Sequence, residues 1–134
     1  MAAHFFKSAH FTLFTGGLPR SHSIDLIQNK TIKRLHSNYH SIAIKILKKY
    51  APLKAELYQY SDFHIVIAGS HFSFPIHTDT PNKLLSGVVY LKPEKNFGTT
   101  LYSVDKKKSK NIEWKQNRAL FFSRTENTPH SYKS

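Results

Sequence analysis

The amino-acid sequence predicts a mainly β domain with one long helix near its N-terminal end. Its 134 residues suit a single domain with a modest core and leave no room for a second domain. One segment repeats apolar residues at the period of a helix. After residue 55, short β-branched and aromatic runs recur at roughly ten-residue spacing, which favours an antiparallel sandwich or barrel.

The helix is predicted from one apolar stripe that ends before Pro52. The members of the stripe follow one another at steps of four, three, four and four residues: Leu35, Tyr39, Ile42, Ile46 and Tyr50. Lys45, Lys48 and Lys49 lie mostly off this stripe, so the other face is solvated. With the aromatic-rich residues 1–20, taken as an entry segment, the helix forms an N-terminal part over residues 1–54. We expect the helix to buttress a sheet.

The β core of the domain is predicted over residues 55–134. The segments with strand composition are 56–60, 63–68, 72–77, 86–92, 99–104, 112–115 and 118–123. The segments 99–104 and 112–115 flank the lysine-rich turn at 106–110 like the two arms of a hairpin. All of these segments belong to a single domain spanning residues 1–134.

Composition excludes several classes of protein. Cysteine is absent, so disulfides, thiolate metal ligands and a cysteine nucleophile are excluded. No apolar run approaches the ~20 residues of a transmembrane helix. Histidine and lysine interrupt the first ten residues, which therefore make a poor signal peptide. We expect a soluble cytoplasmic protein that does not engage a membrane.

The chain is strongly basic, with a formal net charge of +12 from 20 Lys and Arg against 8 Asp and Glu. Such an excess can steer a protein toward nucleic acid or another polyanion. Most of the basic residues, however, are lysines spread along the chain, and a charge excess alone does not give sequence-specific binding to nucleic acid. A solvated surface is favoured over a nucleic-acid interface.

The residues with the clearest chemistry are His77 and Asp79, followed by His130 directly after Pro129. Residues two apart in a strand point to the same face, so His77 and Asp79 can present a ring nitrogen and a carboxylate oxygen together. Two imidazoles and one carboxylate cover one face of a metal and leave the opposite positions open, as in non-haem Fe(II) oxygenases. The tripeptide alone is a weak signal, and its alternative is a histidine at a strand end followed by a turn aspartate.

The surrounding residues strengthen the signal. The stretch 77–82 is followed by Val88-Val89-Tyr90-Leu91, then by the segments 97–101 and 117–122 before Pro129-His130. In this order and spacing, residues 60–132 resemble the prolyl-4-hydroxylase-like branch of the 2-oxoglutarate/Fe(II)-dependent oxygenases. The resemblance implies a double-stranded β-helix, which is a jelly-roll, cupin-like fold.

The resemblance also implies a set of site residues. His77, Asp79 and His130 would bind Fe(II), while Tyr90 and, more weakly, Thr100 would contact the co-substrate 2-oxoglutarate. For Tyr90, a cross-strand core aromatic is an equal alternative. The implied reaction couples the oxidative decarboxylation of 2-oxoglutarate to succinate with hydroxylation of a C–H bond. The substrate stays unidentified, because family members share the iron site and differ in their loops; we expect the segments 1–20 and 80–86 to line its pocket.

One departure from the family pattern matters. Related enzymes carry an arginine or lysine about ten residues after the distal histidine, on the last strand, because a guanidinium or ammonium group pairs with the far carboxylate of 2-oxoglutarate. Here only Ser131-Tyr132-Lys133-Ser134 follow His130. The candidate substitutes are Lys133, Arg124, Lys83 and Arg118, none of them favoured. We therefore expect 2-oxoglutarate to bind weakly or not at all.

The incomplete last strand also predicts an open sheet edge, which is a pairing liability. A truncated or degenerate oxygenase, or a homodimer whose neighbour covers the edge, would account for it. The alternative function is a non-catalytic, cupin-like binding domain whose basic surface holds an anionic partner and whose metal site is vestigial.

Overall fold

The computed structural model describes residues 6–14, 30–69 and 71–134. Two helices and eight strands lie within these ranges. The helices are α1 (Lys30–Tyr50) and α2 (Pro52–Ala55). The strands are β1 (Phe6–Phe14), β2 (Tyr60–Ala68), β3 (Ser73–His77), β4 (Lys83–Lys92), β5 (Gly98–Tyr102), β6 (Ser109–Asn111), β7 (Ala119–Phe122) and β8 (His130–Lys133). No helix in the described ranges is long and apolar enough to span a membrane.

The strands form two antiparallel sheets of four strands each. The strand order is β2-β1-β4-β7 in the first sheet and β3-β8-β5-β6 in the second. From β2 to β8 the chain passes repeatedly from one sheet to the other, and only β5 and β6 follow each other within one sheet. The prediction of a mainly β protein with one main helix is confirmed.

Helix α1 packs on the outer face of the first sheet, as predicted, but its apolar stripe is rotated from the predicted one. Ala43 and Leu47 are fully buried at its centre, whereas Ile42 and Tyr50 are exposed. The small Ala43 side chain allows the helix to approach the sheet closely. The buried cluster on this face is Leu13, Ala43, Leu47, Phe63, Leu84, Leu85 and Val89. Pro52 follows the end of α1 and begins α2, where its missing N–H costs nothing.

Strand β1 is the main departure from the sequence prediction. Residues 6–14 were assigned to an entry segment, yet they lie in the middle of the first sheet and pair with both β2 and β4. An extended, aromatic-rich segment is suited to a strand, but its partners are distant in sequence. The open edge that we expected from an incomplete last strand is not at β8, which pairs with both β3 and β5. Among the described strands, β2 and β7 are the outer strands of the first sheet, and β3 and β6 are those of the second.

Two strand boundaries also differ from prediction. Residues 56–59 form a turn and loop after α2, and the strand begins only at Tyr60. The second arm of the predicted hairpin is Ser109–Asn111, rather than residues 112–115. The intervening lysines 106–108 are exposed in a turn, as predicted.

Candidate metal centre

Strands β3 and β8 bring the two predicted histidine ligands together. They pair in antiparallel register with His77 opposite His130, and the ring centroids are 4.3 Å apart. Asp79 lies two residues beyond the end of β3, where the chain leaves the sheet and turns toward β4. Residues distant in sequence therefore meet at one end of the second sheet.

The three side chains form a cluster with the spacing of a metal site. Asp79 Oδ1 is 3.7 Å from His77 Nε2 and 3.9 Å from His130 Nε2. One ligand atom from each residue lies within 4.8 Å of the other two. Two ligand atoms at about 2.1 Å from one metal and at right angles are about 3 Å apart, so coordination requires each of these two distances to shorten by less than about 1 Å. The prediction that the three residues meet is confirmed.

The orientation of both imidazoles is set by the backbone. His77 Nδ1–H donates to the carbonyl of Pro75 and His130 Nδ1–H donates to the carbonyl of Thr128, each at 3.0 Å. Because a carbonyl only accepts, Nδ1 carries a proton in both rings, and Nε2 is the nitrogen through which a neutral ring can bind a metal. Both rings thus present Nε2 toward Asp79, and the hydrogen bonds fix the tautomer that a metal ligand requires.

Asp79 is a buried carboxylate with defined partners. Oδ2 accepts a hydrogen bond from Ser86 Oγ at 2.6 Å, and Oδ1 accepts one from Lys83 Nζ at 3.0 Å. Burial raises the pKa of Asp79, but the Ser86 hydroxyl and the Lys83 ammonium together outweigh it and hold the pKa below its ordinary value. Arg124 Nε donates to the backbone carbonyl of Asp79 at 3.0 Å. The carboxylate is therefore ionised and held in place.

His130 is the more buried of the two imidazoles. Burial lowers its pKa, and this effect exceeds the opposing influence of Asp79 and of the hydrogen bond to Thr128. The edge of the Phe122 ring packs against it with centroids 4.8 Å apart, while Phe74 packs similarly against His77 at 4.6 Å. The neutral form of His130, which is the form that binds metals, is favoured near neutral pH.

The cluster opens into a cavity of about 330 Å³ between the two sheets. This volume lies at the lower end of the range for small-molecule sites. Its lining includes apolar side chains from both sheets and polar side chains from β1, β4 and β8. The segments 1–20 and 80–86, which we expected to line a substrate pocket, both contribute: the first through Ser8, His10 and Thr12, the second through Lys83 and Ser86.

The two predicted 2-oxoglutarate contacts do not lie on the cavity wall. Tyr90 is fully buried, stacks on Trp114 with centroids 4.2 Å apart, and accepts a hydrogen bond from the Thr99 N–H through its hydroxyl. Thr100 accepts a hydrogen bond from the Asn111 side chain in the β5–β6 ladder. The structure thus gives Tyr90 the surroundings of a core aromatic. Thr99, next to Thr100, does line the cavity.

Of the four substitute cations, only Lys83 lines the cavity. Arg124 is engaged by the Asp79 carbonyl and by Glu126, and Arg118 binds Glu113. Lys133 is exposed at the end of β8.

Sequence reasoning missed Ser86 and the polar side chains of β1. Ser8, His10 and Thr12 occupy every second position of an otherwise mostly apolar strand. That alternation is the signal of a strand with one polar face, and it could have placed these residues together on one side of a sheet.

Comparison of the chain with protein-family models, with curated proteins and with solved structures finds no match in any of the three.

Proposed function

We propose that this chain is an Fe(II)- and 2-oxoglutarate-dependent oxygenase that hydroxylates a small or peptide substrate. The observation that carries the proposal is the cluster of His77, Asp79 and His130 at the wall of a cavity between two sheets. Two imidazoles and one carboxylate are the donor set of a facial metal site with open positions. The donor chemistry and the fixed ring tautomers fit a divalent transition metal.

The topology supports the same proposal. Eight strands in two four-stranded antiparallel sheets, with the chain alternating between them, suit a jelly roll, which is the double-stranded β-helix of these oxygenases. Strand β1 supplies the eighth strand in place of one after His130.

Each residue has a defined part in the proposed site. His77, Asp79 and His130 would hold the iron, which when bound supplies the activation of O₂. Ser86 orients Asp79 through its hydrogen bond, and the carbonyls of Pro75 and Thr128 orient the two rings. Phe74, Phe122 and Val88 restrict water at the cavity wall. The protein thus contributes ligand geometry and a sheltered volume.

The test is metal content and turnover in matched variants. Protein loaded anaerobically with Fe(II) is expected to retain one metal per chain and to form succinate from 2-oxoglutarate. His77→Ala and Asp79→Ala should lose the metal, whereas His40→Ala, which removes an imidazole from helix α1, should retain it. The proposal would be refuted if the wild-type protein retained no metal. It would also be refuted if all three variants retained the metal equally.

A second candidate is a non-catalytic binding domain with a basic surface, and one contact favours it. Lys83 Nζ lies 3.0 Å from Asp79 Oδ1, the same oxygen that faces both histidines, so an ammonium group satisfies the carboxylate without a metal. This candidate predicts affinity for nucleic acid or another polyanion that falls steeply with salt. That affinity should be unaffected by His77→Ala, and no metal should be retained.

A further inference from the structure

Strand β1 places a polar wall on the cavity that contains the metal cluster. Leu13 points to the helix side of the sheet and joins the buried core. Ser8, His10 and Thr12 lie on the other face and line the cavity. Because successive side chains alternate between faces, this arrangement is fixed by the register of β1 rather than by flexible loops.

The register sets where each of these side chains lies relative to the metal cluster. Thr12 pairs with Ser86, the residue that donates to Asp79, while His10 pairs with Val88 and Ser8 with Tyr90. Residues two apart in a strand are separated by about 7 Å. Thr12 is therefore level with the cluster, and His10 lies about 7 Å farther along the cavity.

The far part of this wall offers hydrogen-bond donors and carries no acidic group. Ser8 Oγ and His10 Nε2 are 3.1 Å apart, which joins a hydroxyl and an imidazole in one hydrogen-bonded pair. Among the described residues that line the cavity, Asp79 is the one carboxylate, and it belongs to the cluster itself. Lys83, the one lysine or arginine in that lining, is held at Asp79. An anionic group in the far part would lie next to this hydroxyl and imidazole, and no lining carboxylate other than Asp79 is present among the described residues.

We propose that His10, paired with Ser8, binds the remote carboxylate of a short dicarboxylic 2-oxo acid whose 2-oxo acid end faces the metal cluster. This inference rests on the proposed function and assigns its missing carboxylate partner to the N-terminal strand. A chain of about five carbons, with bonds of about 1.5 Å, spans the separation between the cluster and the level of His10. The cavity of about 330 Å³ suits a ligand of this size rather than a large one.

The test compares two ligands of equal length that differ only in the remote carboxylate. Mn(II) is titrated first into the purified protein, followed by 2-oxoglutarate or 2-oxopentanoate, with calorimetric detection. We expect wild-type protein to bind 2-oxoglutarate at least tenfold more tightly than 2-oxopentanoate. His10→Leu should remove that preference while leaving the affinities for Mn(II) and 2-oxopentanoate unchanged. His10→Gln, which retains a hydrogen-bond donor, should keep part of the preference. If His10→Leu fails to fold, Ser8→Ala is the replacement variant and should reduce the preference.

Each other outcome overturns a distinct claim. No Mn(II) binding by wild-type protein refutes the proposed function and this inference with it. Mn(II) binding without a preference for 2-oxoglutarate, or a preference that survives in His10→Leu, refutes the inference alone. A preference that is lost in Lys83→Gln and kept in His10→Leu assigns the carboxylate to Lys83 and likewise refutes it.

Discussion

His77 and His130 lie opposite each other on paired strands, and each donates its Nδ1–H at 3.0 Å to the carbonyl two residues before it. The same local arrangement is therefore built twice, once on β3 and once on β8. Its effect is to direct the Nε2 atoms of both rings toward one buried carboxylate, that of Asp79. The backbone carbonyls that orient both rings distinguish this cluster from three polar residues that are close by chance.

Ser86→Ala should weaken metal binding without removing a ligand. The Ser86 hydroxyl donates to Asp79 Oδ2 at 2.6 Å, and loss of a group that orients a ligand typically costs about 10–100-fold in metal affinity. The measurement is Mn(II) affinity by calorimetry. Ser103→Ala is a matched control, because Ser103 makes a hydrogen bond of the same length to Asp105 in an exposed turn. Equal affinities in the two variants would contradict the role given to Ser86.

Lys83→Met should tighten metal binding by a few-fold. Its ammonium competes with a metal for Asp79 Oδ1, and a partly exposed ion pair is worth at most about 1 kcal/mol. The measurement is the Mn(II) dissociation constant at constant ionic strength. Lys115→Met changes the net charge equally at an exposed position and controls for long-range electrostatics. A weaker Mn(II) affinity in Lys83→Met would mean that the lysine helps to position the carboxylate.

The metal-free protein should lose stability as pH falls below the ordinary histidine pKa. Burial lowers the pKa of His36 and of His130 in the folded chain. Below the unfolded pKa of about 6.5, the unfolded chain therefore binds more protons than the folded chain. The contribution of these two histidines to the free energy of unfolding is full above that pH, and it is lost as the pH falls toward their lowered pKa values in the folded chain.

Urea unfolding between pH 5 and pH 8 measures this pH dependence of the free energy of unfolding. His36→Gln should reduce the slope, because His36 then no longer titrates. A slope that is the same in the variant and in the wild-type protein would contradict the assignment. The lowered pKa of Asp79 acts at lower pH, where protonation of its carboxyl group removes a further contribution.

Leu47→Ala should destabilise the fold by about 2–5 kcal/mol, because it leaves a cavity between helix and sheet. Leu47 is fully buried in the cluster that contains Leu13, Phe63 and Leu85. Leu53→Ala makes the same chemical change at a side chain that is 81% exposed, and should cost at most about 0.5 kcal/mol. Urea unfolding of both variants checks the difference. Similar free energies of unfolding would contradict the packing of α1 on this sheet.

Deleting residues 1–14 should make the protein associate, since β2 and β4 would each lose a strand partner. Size-exclusion chromatography of the deletion variant measures the association. A synthetic peptide with the sequence of residues 6–14 should restore the monomeric elution position, whereas a peptide of the same composition in scrambled order should not. A monomeric, folded deletion variant would contradict the central place of β1.

The sequence predicted the elements whose signals are local. The apolar period of residues 35–50 predicted helix α1, and the spacing of His77 and Asp79 predicted two side chains on one side of the chain. The alternation at Ser8, His10 and Thr12 is a local signal for strand β1, but nothing in residues 6–14 indicates its partners at 60–68 and 83–92. Pairing between distant segments depends on the whole fold rather than on local propensity.

The burial of Tyr90 also could not be predicted from the sequence of β4 alone. It has the same parity in β4 as Ser86 and Val88, both of which line the cavity, so the alternation places it on the cavity face. Trp114, from the loop after β6, stacks over its ring and seals it into the core. Gly98, with φ of 80°, lies against both rings, where a Cβ would come within 3.2 Å of Trp114. The sequence of β4 contains no signal that a side chain from a distant loop packs over Tyr90.

The position of β1 also has a consequence for how the protein is made. The cavity needs β1 on one side and β8, which carries His130, on the other. During synthesis β1 emerges before every other described strand and β8 emerges after them all. Contacts between such distant segments form late and slowly, because the intervening chain must be ordered first. A nascent chain that has emerged only as far as Phe122 therefore carries His77 and Asp79 but not His130, and the cluster of these three residues forms only after β8 has been synthesised.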